Sequence, residues 1–152
     1  MSPRDPDCLF CKIIAGEIPS ARILETEAAV AFLDISPVNP GHVLLVPREH
    51  HATLADLADE AAAETAVLLP RLARAILRAT GADGLNLVVN NGPAAGQTVD
   101  HGHWHLIPRH RDDVVNWPWP HAEYLGDELG QMQFRLEREL NPVPDDEDDE
   151  IG

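Results

Sequence analysis

Three imidazoles stand at His101, His103 and His105, separated by Gly102 and Trp104 and followed by Leu106, Ile107, Pro108 and Arg109. That two-residue spacing is the period of a β-strand, which sends alternate side chains to one face. Histidine titrates near pH 6.5, to within about a unit, so a row of imidazoles on one face suits nucleophilic attack, proton transfer or metal binding. The tract is internal and leads into an apolar Leu-Ile pair, unlike the contiguous terminal run of an affinity tag. One ion could not take all three rings without bending the strand, because the first and third Cα atoms of an extended strand lie roughly 13 Å apart, although two rings could share one. A division of labour is expected, with each ring meeting a different partner.

Two cysteines, Cys8 and Cys11, form a C-x-x-C pair whose open uses are redox exchange, metal binding or apolar filling. A redox pair sits between a buried strand and a helix, and no strand is predicted before Asp7. Half of a tetrahedral zinc site fits better, with two histidines supplied from elsewhere. A second histidine pair, His50-His51, follows a predicted strand that antiparallel packing would set beside the histidine strand. Cys8, Cys11, one of His50 or His51, and His101 would then close a structural tetrahedron, the kind that activates no water.

The small-residue loop from Asn90 to Gln97 comes just before the histidines. Its glycines let backbone approach a ligand, and Asn90, Gln97 and Thr98 offer neutral donors for phosphate oxygens, although Asn-Gly also marks an ordinary hairpin connection. Beside the imidazoles the first use gains weight. Neutral His103 is placed to attack phosphorus and form a covalent phospho-histidine type intermediate, with His105 bonding the phosphoryl oxygens or the leaving group.

These groups need a scaffold. Short strands are predicted at 21–25, 28–33, 42–47, 85–90 and 97–107, close enough together to pair antiparallel. A short helix is predicted over 9–15, ended by Gly16. A long one over 54–80 carries an apolar stripe (Leu57, Ala61, Val67, Leu68, Leu72, Ile76), with a kink or break at Pro70 and a stop at Gly81. A last helix is expected over 127–140, with Leu125, Leu129, Met132, Leu136 and Leu140 recurring at helical spacing. The fold class is α+β, an antiparallel sheet of about five strands with a long helix and a C-terminal helix.

At 152 residues and 44% hydrophobic, the chain suits one domain with a proper core. It has no apolar run of membrane-spanning length and no signal-peptide pattern, so a cytoplasmic protein is expected, with no membrane partner. The net charge is −15, of which six acids lie in Asp145–Glu150; the other 20 acids against 11 bases still leave −9. Such a chain lacks the Lys and Arg clusters that a nucleic-acid backbone needs. Residues 143–152 read as a disordered acidic tail after a domain over 1–142.

The chain resembles the histidine triad (HIT) nucleotide hydrolases and transferases, defined by His-φ-His-φ-His-φ-φ with φ hydrophobic. The likeness runs from Asp7 to Arg109, through Asp7–Ile14, Phe32–Pro37, Gly41-His42, Pro47–His50, Asn90–Gly92 and Gly96–Val99. It implies an antiparallel sheet with helices, usually a homodimer joining sheets, and a purine nucleotide held by its α-phosphate. It also implies His103 as the residue that becomes nucleotidylated, His105 as the phosphate contact and His101 as the supporting histidine. Gln97, Thr98 and Asn90, with Gly96 and Val99, fall at phosphate-side and ribose-side positions. Leu9, Phe10, Asp34 and Ile35 resemble the base and ribose pocket, Asp34 accepting from ribose hydroxyls. In zinc-bearing bacterial members the ligands correspond to Cys8, Cys11, His50 and His101, which leaves His51 as a surface neighbour. The resemblance favours an adenosine 5′-phosphoramidate-type hydrolase, with a dinucleoside polyphosphate hydrolase or a nucleotide-binding regulatory module as alternatives.

Two residues depart from the pattern: Gly102 replaces the usual large apolar residue, and Trp104 brings an outsized ring. Past Arg109 the likeness thins over 110–142. Trp117 and Trp119 are expected to pack in the core rather than cap the site.

Overall fold

The computed structural model describes residues 4–115 and 119–141. Five strands, β1 (Arg22–Glu25), β2 (Ala29–Leu33), β3 (Val43–Pro47), β4 (Gly84–Val88) and β5 (Trp104–Arg109), form one antiparallel sheet in the order β1-β2-β3-β5-β4. β2 and β3 are buried at every position, so their sequences are continuous apolar runs rather than alternating ones. One face, through Leu33, Val43, Leu45 and Leu106, packs on Leu72 and Ile76 of helix α3 (Leu69–Thr80) and on Leu136 of α4 (Glu128–Leu140). The other face, through Val30, Phe32, Leu44 and Val46, packs on Phe10, Cys11 and Ile13 of α1 (Leu9–Ile14).

The long apolar stretch predicted over 54–80 is divided. A 3-10 turn at Leu54–Asp56 is followed by α2 (Asp59–Ala66) and then α3. Pro70 falls in the first turn of α3, where its missing N–H costs no helical bond, so the break precedes it at Val67, which is 70% exposed. Gly81 ends α3 in the left-handed conformation at φ 69°. In the last helix Met132, Leu136 and Leu140 are buried, whereas Leu125 lies before the helix and points outward.

The fifth strand is the main correction. Its alternation predicts a start at Gln97, but it begins at Trp104, because the backbone before it bonds elsewhere: His101 N–H donates to Val99 O, and Gly102 N–H to the His51 carbonyl, outside any strand. Only His105 therefore sits within the ladder, paired opposite Leu44 on β3 and Val88 on β4. His101 and His103 approach it along a loop. Trp117 and the acidic tail lie outside the described residues.

Candidate active site and metal centre

Cys8 caps the N-terminus of α1, its sulfur accepting from Cys11 N–H at 3.4 Å. The cap turns both thiols toward the loop that carries His101. Cys8 Sγ lies 3.4 Å and Cys11 Sγ 3.6 Å from His101 Nδ1, and Cys11 Sγ lies 3.4 Å from His50 Nδ1. A tetrahedral zinc with Zn–S near 2.3 Å and Zn–N near 2.05 Å requires S···N edges of roughly 3.6 Å, and these separations fit it. The tautomer of His101 fits as well. Its Nε2 meets the Pro47 carbonyl at 2.8 Å, which can only accept, so the lone pair rests on Nδ1, toward the sulfurs. Burial first, then the neighbouring imidazoles, pushes His101 down to about 4, and burial raises the Cys11 thiol. A cluster of Cys8, Cys11, His50 and His101 can thus hold a metal ion.

His51 is not the surface residue expected from the sequence. It is 5% exposed, and its ring covers Gly102, where an added Cβ would stand 2.4 Å from His51 Nε2. The imidazole takes the volume that a large apolar residue at position 102 would fill. His51 Nδ1 donates to the Glu49 carbonyl, while its buried Nε2 has no partner among the described residues. Trp104, at the start of β5, joins the core with Leu106 and the helices.

His103 and His105 stand 4.7 Å apart between ring centroids, with Phe10 set edge-on against His103 at 4.9 Å. Their protons are fixed by different partners. His103 Nδ1 lies 2.7 Å from the His101 carbonyl and must donate to it, which leaves the Nε2 lone pair free. His105 Nδ1 faces His42 Nε2 at 3.0 Å, and His42 Nδ1 accepts from Val38 N–H at 3.1 Å. His42 therefore donates through Nε2, His105 accepts at Nδ1, and the His105 proton sits on Nε2. Two adjacent rings thus offer opposite faces, one a lone pair and the other an N–H.

Burial holds these rings neutral. His42 and His105 are each lowered to about 3 and His103 is lowered as well, in every case chiefly by desolvation. Asp34 Oδ2 lies 3.8 Å from His42 Nε2, and Asp34, His42 and His105 bring their ligand atoms close enough to share an ion. A metal on His42 Nε2 would need that proton moved to Nδ1, against the Val38 N–H. His42 and His105 are thus a hydrogen-bonded pair with the Asp34 carboxylate beside it, and not a cage.

Two cavities meet at this histidine pair. One, of about 310 Å³, has apolar walls that include Leu9, Phe10, Ile35 and Val99. The other, of about 330 Å³, is lined by Asn90, Gly96, Thr98, Trp119 and His121. Asp34, Thr98, His103, His105 and His121 belong to both. Gln97 lines neither. Its Oε1 accepts from Gly92 N–H at 2.7 Å, and its Nε2 donates to the carbonyls of Ala52 and Val99, so the amide braces the loop.

Sequence reasoning missed three residues here. His42 falls two positions before Leu44, which pairs with His105, so strand register was the signal for it. Trp119 is not the core residue expected from its type, because its indole packs edge-on against His105 at 5.1 Å and His42 at 6.1 Å, over the cavity. His121 carried no local signal. Both reach the site because the chain after β5 crosses the 36–41 turn, where His121 Nδ1 donates to Ser36 O, Ala122 N–H to Pro37 O, and Gly41 N–H to Tyr124 Oη.

Comparison with known proteins agrees with this geometry. The HIT domain model matches residues 15–112. An adenosine 5′-monophosphoramidase of Saccharomyces cerevisiae is 42% identical over 136 residues, covering 87% of this chain and 82% of the relative. An adenylylsulfatase of Arabidopsis thaliana is 37% identical over 145 residues, 93% of this chain and 73% of the relative. A zinc-bound histidine triad family protein from Mycobacterium smegmatis superposes with a TM-score of 0.79 at 36% identity, over 88% of this chain and 93% of the other. With the triad, its sheet and these relatives in agreement, the chain belongs to the HIT domain family.

Proposed function

We propose that this protein is a purine nucleotide hydrolase that works at the α-phosphate through a covalent nucleotidyl-His103, with adenosine 5′-phosphoramidates as its leading substrates. The observation that carries this reading is the opposed protonation of neighbouring rings: the free Nε2 pair of His103 beside the Nε2–H of His105. In the first step His103 Nε2 forms a bond to phosphorus as the P–N bond breaks. The substrate nitrogen, protonated from solvent beforehand, leaves as a neutral amine with the electron pair of that bond. In the second step water attacks phosphorus, the Nε2–P pair returns to the imidazole, and nucleoside monophosphate and a proton are released. His105 Nε2–H stabilises the charge gathering on the phosphoryl oxygens, and His42 fixes it in that tautomer.

Leu9, Phe10, Ile35 and Val99 would hold the purine nucleoside, Asp34 its ribose hydroxyls, and Asn90, Gly96 and Thr98 the phosphate side. Gln97 acts by holding the loop. Cys8, Cys11, His50 and His101 would bind one structural zinc, whose chemistry is to lock α1 and the His101 loop together. The exposed edge strand β4, with Leu87 50% exposed, supports a homodimer formed by joining sheets. No described helix is long and apolar enough to cross a membrane, and the acidity disfavours nucleic acid, in keeping with a cytoplasmic enzyme.

Single-turnover assays with a labelled adenosine 5′-phosphoramidate test this. The parent should form a trappable nucleotidyl-enzyme, and His103→Ala should lose turnover while binding nucleotide within roughly tenfold. Comparable rates in parent and variant would remove His103 from the role. A higher kcat/KM for a dinucleoside tetraphosphate would transfer the substrate to that class, and tight binding without turnover of either would make the protein a nucleotide-binding module.

A further inference from the structure

His121 lies beyond the end of the matched family domain at residue 112, yet its imidazole lines both cavities at the histidine pair. Its Nδ1 donates to the Ser36 carbonyl at 2.9 Å, so in its neutral form the lone pair is on Nε2 and the ring is an acceptor. It is a near neighbour of Asp34, His42 and His105. Among the described residues lining the two cavities there is no lysine or arginine, and the one carboxylate is Asp34.

These groups divide the substrate. With the nucleoside in the apolar cavity and phosphorus at His103, the leaving group falls to the second cavity, whose lining includes His121 and Trp119. A leaving group that departs as an anion meets no lysine or arginine there, and it faces the Asp34 carboxylate. A protonated nitrogen, which brings N–H donors and positive charge, meets the His121 acceptor and the Asp34 carboxylate.

We propose that His121 is a specificity-determining residue whose Nε2 accepts an N–H from the leaving nitrogen, so that this site selects nitrogen leaving groups over anionic ones. The inference rests on the hydrolase reading above and names the substrate class within it. A hydrogen bond to a charged group lost from the transition state corresponds to about tenfold in rate.

The test measures kcat/KM for unsubstituted adenosine 5′-phosphoramidate and for adenylyl sulfate with the parent, His121→Ala and His121→Gln, together with AMP affinity by calorimetry. AMP carries no leaving group and reports whether the nucleotide side is intact. The expected result is a fall of about tenfold in the phosphoramidate-to-sulfate ratio for the alanine variant, with most of it restored by glutamine, which keeps an acceptor. An unchanged ratio, or a loss of AMP affinity matching the loss of rate, would overturn the assignment of His121. A parent that binds AMP and cleaves neither substrate would instead overturn the hydrolase reading, and this inference with it.

Discussion

A methyl group at position 102 would stand 2.4 Å from His51 Nε2 and 2.9 Å from its Cδ2, closer than a Cβ contact tolerates. The imidazole cannot swing away freely, because its Nδ1 is tied to Glu49 O and its own carbonyl takes the Gly102 N–H. Gly102→Ala should therefore destabilise the fold by about 1–3 kcal/mol, the range for overpacking a tight interior. Adding His51→Ala should give back part of that loss, since the methyl group then enters the vacated space. Urea unfolding of the two single variants and the double one completes the cycle, and simple additivity would show that the two side chains do not share one volume. The triad and the Cys pair are legible in the sequence from identity and spacing, because that chemistry resides in residue type and local period. The pairing of Gly102 with His51 is not, since it joins residues far apart along the chain. The same holds for His42 and His121, whose parts depend on strand register and on a crossing segment.

The element that most needs outside support is α1. It has six residues, too few for a helix to persist alone, and it is held to the sheet by Phe10, Cys11 and Ile13 and by the thiol–imidazole cluster. The same turn supplies Leu9, Phe10 and Ile13 to the apolar cavity. Loosening the metal end should then be felt at the nucleoside end. Cys8→Ser should lose zinc and thermal stability together and also weaken nucleotide binding, and a chelator should produce the same trio in the parent. Metal analysis, melting curves and titration with AMP check it; a zinc-free parent with an unchanged melting temperature would return the cysteines to apolar filling. Element boundaries follow the same logic. β2 and β3 are readable as apolar runs, and so is the break ahead of Pro70. The late start of β5 is hidden, because the residues before it have strand-like alternation but spend their backbone bonds on Val99 and His51.

At the scale of the whole molecule, acidification sets two effects against each other. The chain carries a net charge of −15, so protonating surface carboxylates relieves repulsion, and Asp34, raised by burial, also favours the folded state as pH falls. Against this stand His42 and His105, held near 3 by burial when an unfolded histidine takes its proton near 6.5. Between those values the unfolded chain binds more protons than the folded one, so stability is lost as pH falls from about 6.5 toward 3. At pH 5 each ring contributes on the order of 2 kcal/mol to that loss. Asp113, held low first by its bond to Arg109, works below the ordinary carboxylate range and leaves the interval from pH 7 to 5 alone. The histidines should win there, and the folding free energy from urea titrations should decline steadily across it. His42→Asn removes one of the two rings without touching the thiol–imidazole cluster, so at equal zinc content its decline should be shallower by about one proton. An identical slope in parent and variant would mean that the buried ring takes up its proton in the folded state, and the fixed tautomers of His42 and His105 would have to be abandoned.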